Sequence, residues 1–254
     1  MGAAMRNRMR SQQGFSMIEM VLVVFVFTTV TAAVFVLLDV AQQRYRMESE
    51  FLDSFQGARL GLDQMVRDIH AAGYPPGNSF QAGVNAGVNV TVAPFAWSPG
   101  YPAAPCNIPG CAIPGDFDLI IETDIDPQNA NGVEWVRYQL RGTTLMRGVT
   151  PKGAGDPSVV TLADLVPYVE NVMNNPGAQE IANLQIAYAN AFPGGAAVPI
   201  FNYAAFDTGK AATPQFLREI NITLMVRSPR LDPKTRQPRL VTLNGRVRRI
   251  NPSE

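Results

Sequence analysis

Metal and nucleophile chemistry has little to work with in this sequence. There is one histidine, His70, and there are two cysteines, Cys106 and Cys111, too few ligands of the usual kind for a zinc centre. No glycine-rich phosphate loop, nucleophile elbow or HExxH pair occurs, so nucleotide binding, serine hydrolysis and zinc proteolysis lack their motifs. An excess of charge is missing too. Lysine plus arginine equals aspartate plus glutamate at 21 each, and net charge therefore offers no argument for nucleic acid or an acidic substrate. The expectation is a protein that is no enzyme and carries no cofactor.

What the sequence does have is a long apolar run. Between Glu19 and Asp39 no charged residue interrupts it, which is long enough to cross a bilayer. Arg6, Arg8 and Arg10 precede it with no acid among them. The positive-inside rule then keeps the short tail cytoplasmic and sends everything after about residue 40 across the membrane. A secretory signal has an apolar core of roughly 7–15 residues followed by a small-residue cleavage site. Here the run is longer, and Thr31, Ala32 and Ala33 lie inside it. Glu19 is the anomaly, because an acid at the centre of a spanning helix costs about 2.5–3.5 kcal/mol, though less near an end.

Gly14, Phe15, Ser16, Met17, Ile18 and Glu19, followed by this apolar helix, resemble the class III signal of type IV pilins and type II secretion pseudopilins. The resemblance implies cleavage between Gly14 and Phe15 by the prepilin peptidase on the cytoplasmic side, and methylation of the new amino-terminal Phe15. Glu19 then becomes the fifth residue of the mature chain, the family's acidic position. A neighbouring subunit's amine could neutralise that carboxylate where the Coulomb term is weakly screened, turning an insertion cost into a docking signal. The plainer reading is a glutamate snorkelling at the membrane edge of an anchor.

Beyond Asp39 the helical pattern becomes amphipathic, with Phe51, Phe55, Ala58, Leu62, Met65 and Ile69 along one stripe. Gly57 and Gly61 each cost about 1 kcal/mol against alanine. Gly73, Pro75 and Pro76 end the helix, and His70 near its carboxyl end suits the dipole. A helix from Phe15 to about Ala72 would be roughly 87 Å long at about 1.5 Å per residue, so its second half must support an outer domain. The expected organisation is a cleaved basic leader (1–14), a transmembrane half-helix (15–38), an amphipathic half-helix (39–72) and a sheet-rich head (73–254).

In the head, the stretches DFDLIIETD, VEWVRYQL, NLQIAYA, INITLMV and RLVTLNGRVRRI read as half-buried strands, with Val136, Tyr138 and Leu140, then Leu184, Ile186 and Tyr188, then Ile220, Ile222, Leu224 and Val226 facing inward. The fold class is α+β, a long helix packed on a mostly antiparallel sheet. The strand-and-turn order is similar to that of PilW-type minor pilins and, next, of J-type pseudopilins. That resemblance implies a subunit that primes or joins filament growth at the inner membrane. Its partners would be other minor pilins or pseudopilins, the major pilin, the assembly platform and membrane lipid. Its location would be a single inner-membrane pass with a periplasmic head, and then the filament. A tip pseudopilin lacks the acid at the fifth mature position; Glu19 therefore argues for another subunit in front of this one.

Three local features complete the reading. Cys106 and Cys111 close a proline- and glycine-bent loop that can bring their Cα atoms within disulfide reach in an oxidising compartment; two free thiols are the alternative. Acids and amides crowd residues 116–134, so calcium enters as a candidate at Asp124, Asp126, Asn129 and Asn131. An EF-hand fails on spacing, since aligning Gly132 with the loop's invariant glycine puts Pro127 first and Tyr138 last; a hairpin turned at Asn131 and Gly132 with a solvated acidic rim is simpler. The carboxyl-terminal hairpin is locally basic, with Arg230, Lys234 and Arg236 as candidate partner-binding residues. It has no aromatic residue on which single strands could stack, so an acidic face on a neighbouring subunit suits it better than nucleic acid. A surface- or DNA-binding display module is the competing function.

Overall fold

The computed structural model describes residues 14–75, 91, 94–96, 115–127, 132–152, 165–209, 216–232 and 235–250. The chain divides into two compact units, Met1–Glu48 and Ser49–Glu254. Helix α1 (Met17–Ala71) contributes to both. It stops where the sequence places its stop signal. Gly73 takes φ +81°, a left-handed conformation that glycine adopts without a Cβ clash. The last turn is tied to the sheet by Gly73 N–H donating to the Glu122 carbonyl at 2.9 Å and Thr123 Oγ1 donating to the Ala71 carbonyl at 2.9 Å.

The head is α+β, as expected, but its strands form two antiparallel sheets. The first is a meander of β1 (Phe95–Ala96), β2 (Asp118–Thr123), β3 (Glu134–Arg141), β4 (Thr144–Pro151) and β5 (Val166–Val169), in that order. The second is β6 (Phe201–Phe206), β7 (Leu217–Leu231) and β8 (Pro238–Arg248). Helix α2 (Ala178–Ala187) lies between the two sheets in sequence.

That helix corrects the reading of NLQIAYA as a strand. Ala178, Gln179, Glu180, Ala182 and Gln185 are good helix formers, and Ile181 and Leu184, three apart, are the residues that α2 buries. The apparent alternation of Leu184, Ile186 and Tyr188 was accidental, for Ile186 is 82% exposed. Ile181 and Leu184 pack with Met173, Phe192 and Met225 in a second hydrophobic cluster. Strand β7 is consequently buried on both faces through its middle. Ile220, Ile222, Leu224 and Val226 join the main core, while Met225, which period-two alternation would expose, faces α2's cluster.

The main core draws Ala58, Leu62, Met65 and Ile69 from α1, Leu119, Ile121, Val136, Tyr138, Leu145 and Val169 from the first sheet, and the inward row of β7 with Val247 from the second. Burial of this apolar area is the main term holding the head together, at about 25 cal/mol per Å2. Residues Asn171–Met173 stitch the sheets to each other. Val172 N–H donates to Thr143 O, Met173 N–H to Met225 O, and Arg227 N–H to Asn171 O.

Gly57 and Gly61, equivalent in the sequence, are not equivalent in the fold. A Cβ at Gly61 would run into Val169 Cγ2 of β5, whereas one at Gly57 meets nothing within 4 Å. Gly61→Ala is therefore expected to destabilise the protein by about 1–3 kcal/mol through overpacking. Gly57→Ala should raise stability by about 0.5–1 kcal/mol, because alanine is the better helix former. Thermal melts of both variants check this; equal shifts of the same sign would overturn the close-approach role of Gly61.

Candidate functional site

The amino-terminal signal is assembled from a short irregular lead and the first turn of α1. Gly14, Phe15 and Ser16 precede the helix, and the Ser16 carbonyl accepts the Met20 N–H at 3.1 Å. Glu19 falls in the first turn, where the helix dipole favours a negative charge. Phe15, Met17 and Ile18 are all exposed. The apolar window of α1 has a mean hydropathy of 2.8 and none of it is buried within the protein. It is thus of membrane-span type, and its bare apolar surface calls for lipid or neighbouring helices. Two hydroxyls inside the span are satisfied locally, Thr28 Oγ1 donating to Val24 O at 2.7 Å and Thr29 Oγ1 to Phe25 O at 2.9 Å, so these two add little cost in hydrocarbon. Among the described residues Glu19 has no ion-pair partner.

Residues 9–35 match the family model described as the prokaryotic N-terminal methylation motif. The chain carries a prepilin-type signal. Together with the long apolar helix of membrane-span type and the antiparallel sheets, this match supports a pilin-like or pseudopilin-like role in general. No curated protein and no solved structure matches the chain.

The other candidate residues fare differently. Cys106, Cys111, Asn129, Asn131 and Lys234 lie outside the described residues. The β2–β3 hairpin exists, with Asp118 opposite Gln139 and Thr123 opposite Glu134, and Gly132 has φ +74°. Its acids are not a uniformly solvated rim. Glu122 is fully buried and pairs with Lys152, also buried. Asp118 receives Arg137 Nε at 2.9 Å and Gln139 Nε2 at 2.8 Å. Glu134 Oε2 accepts Ile125 N–H at 3.0 Å, and Asp124 Oδ1 accepts Asp126 N–H at 3.1 Å. Burial, reinforced by mutual repulsion with Asp126, holds the Asp124 and Glu134 carboxyls above the usual range. Among the described residues no group of three or more His, Cys, Asp or Glu is arranged to hold a metal ion.

Four arginines of the basic hairpin segment have ion-pair partners, three of them from elsewhere in the chain. Arg227 pairs with Glu180 of α2 at 2.6 Å, Arg230 with Glu50 of α1 at 2.9 Å, Arg246 with Glu219 at 2.7 Å and Arg249 with Asp207 at 2.9 Å. Arg236 is exposed at a left-handed turn, φ +54°. His70 Nδ1 lies 2.7 Å from the Arg248 carbonyl oxygen, so the residue joins the helix end to β8 as well as sitting near the negative end of the dipole.

One residue that the stripe hides is Asp68. It is 3% exposed, on the same helical row as Ala58, Gly61, Met65 and Ala72. Its carboxylate accepts hydrogen bonds from Gln64 Nε2 at 2.6 Å, Tyr138 Oη at 2.5 Å and Arg147 Nη2 at 2.9 Å. Burial pushes the Tyr138 phenol far above its ordinary value, and the Asp68 charge adds to this. The group fixes α1 on strands β3 and β4. The only sequence signal for it was an acid breaking an otherwise small and apolar row.

Proposed function

We propose that this protein is a minor type IV pilin that primes or joins filament assembly at the inner membrane, docking through its amino-terminal helix with the head in the periplasm. The observation that carries the reading is Glu19, a carboxylate at the entrance of an exposed apolar helix with no ion-pair partner among the described residues. Such a charge needs an opposite charge from another molecule in a weakly screened medium. Cleavage between Gly14 and Phe15 frees an α-amine in each mature subunit, and methylation of Phe15 leaves it basic. A J-type pseudopilin of a type II secretion system is the second form of the same reading; the same helix and Glu19 serve both.

The carboxyl-terminal turn is the proposed head contact. Arg236 is exposed there, Arg230 stands near the end of β7, and Lys234 is the third candidate from the sequence; reading an acidic face on a neighbouring minor subunit requires charge complementarity more than area, with Arg230 exchanging its Glu50 partner for that face. The test is co-purification from crosslinked cells together with quantitation in sheared filaments. A priming subunit is expected to be recovered with other minor subunits and to be rare relative to the major pilin. Reversal of Arg230, Lys234 and Arg236 to glutamate should reduce that recovery severalfold. Normal assembly and secretion in a strain lacking the chain would overturn the proposal.

A further inference from the structure

A pocket of about 500 Å3 opens beside the start of β6, lined by Gly115, Asp116, Pro199, Phe201, Asn202, Tyr203 and Phe206. The volume falls within the range of ligand sites, about 300–1,000 Å3. Its floor is apolar and its mouth is polar, since Phe201 is fully buried while Gly115, Asp116 and Asn202 are exposed. The walls are tied together. Ile200 N–H and Phe201 N–H both donate to the Asp116 carbonyl, at 2.9 and 3.0 Å, and Tyr203 Oη donates to the Gly115 carbonyl at 3.1 Å.

The charge of the lining is one-sided. Three aromatic rings, one amide and one carboxylate are present, and no lysine, arginine or histidine stands among the described lining residues. Nearby Asp118 is neutralised by Arg137, whereas the Asp116 carboxylate has no side-chain partner among the described residues. Burial and then the fields of Asp118 and Asp116 keep the Tyr203 phenol well above its ordinary value, so the hydroxyl stays neutral. A phosphate, carboxylate or sulfate would meet repulsion and no donor cation here. Aromatic faces carry negative quadrupole charge and attract cations, most strongly where water is excluded.

We propose that this pocket binds an organic cation, an alkylammonium or guanidinium group, with its apolar body against Tyr203 and Phe206 and its charge beside Asp116. The cation could be a basic side chain presented by a neighbouring subunit or a free amine; the chemistry that recognises it is the same.

Ligand-observed NMR on the full chain in detergent micelles tests this with n-butylammonium as probe and 1-butanol as the uncharged analogue. Saturable binding of n-butylammonium is expected, with 1-butanol at least about tenfold weaker. Asp116→Asn, at an exposed position, should weaken the cation about tenfold and leave 1-butanol unchanged. Phe206→Ala should weaken the cation, and Phe206→Trp should restore it. Equal binding of the two probes, or full cation affinity in Asp116→Asn, overturns the proposal even if the filament function holds. A photo-crosslinker replacing Asn202 in cells separates the sources. A crosslink to a pilin-like subunit that Asp116→Asn abolishes identifies a basic side chain, and cation binding without any such crosslink identifies a free amine.

Discussion

Glu19→Ala should leave the protein in the membrane and processed, yet reduce its incorporation into filaments at least about tenfold. The two halves of that result separate because the substitution acts on them in opposite directions. Removing a carboxylate from the end of an apolar helix makes insertion easier, so membrane levels hold or rise. Docking loses the only charged side chain between residues 15 and 38, and with it an attraction that a low-dielectric medium screens weakly. Gly14→Val is the complementary variant. A Cβ at Gly14 meets nothing within 4 Å in the chain itself, so this change should not disturb the fold, but it adds bulk where the proposed peptidase must approach the backbone. Mass spectrometry should then find the leader retained. Wild-type assembly by Glu19→Ala would show that the carboxylate only snorkels at the membrane edge.

The second large effect is one of stability. Lys152→Met is expected to cost about 3–5 kcal/mol, because it removes the buried cation paired with the buried Glu122 carboxylate. The side chains of Lys152 and Glu122 are 5% and 0% exposed. For a chain of this size the loss corresponds to a lower Tm by roughly 6–20 °C. Pairing the change with Glu122→Leu should recover most of the loss, since an apolar pair of similar volume avoids the desolvation of both charges. Circular dichroism melts of the full chain in detergent check both. A single variant melting within about 2 °C of the parent would mean that the pair contributes little, as surface ion pairs do. Glu122 also accepts the Gly73 N–H through its carbonyl, so the loss should be felt at the carboxyl end of α1, where proteolysis would report it first.

Local patterns were legible because their physics is local. The stripe of Ala58, Leu62, Met65 and Ile69 identified the buried face of α1, since side chains three and four apart must share a face. Gly73 marked the end of the helix for a steric reason carried by one residue. The period-two rows of β3 and β7 marked their core-facing residues, but alternation did not anticipate the burial of Trp135 on β3 or of Met225 on β7, the latter covered by a helix elsewhere. NLQIAYA misled for the same reason from the other side. Over a short apolar stretch the helical and extended periods both find matches, and α2 is decided by Met173, Phe192 and Met225 closing over Ile181 and Leu184.

The amino-terminal motif was readable from the sequence alone, because it is a linear pattern of charge, hydropathy and one glycine in order. Charge pairing was not. Within the carboxyl-terminal segment Arg230 and Arg249 looked uncompensated, and their partners Glu50 and Asp207 come from a helix and a strand end far off in the chain. The partners of Asp68, Tyr138 and Arg147, likewise come from strands far off in the chain. Coulomb and hydrogen-bond energies depend on distance in space, and only the packing of α1 on both sheets sets those distances. The sequence determined where the apolar, membrane-span-type segment lies and which helix face the head buries; the tertiary structure decided which charges are paired inside the head, because only packing sets the distances between them.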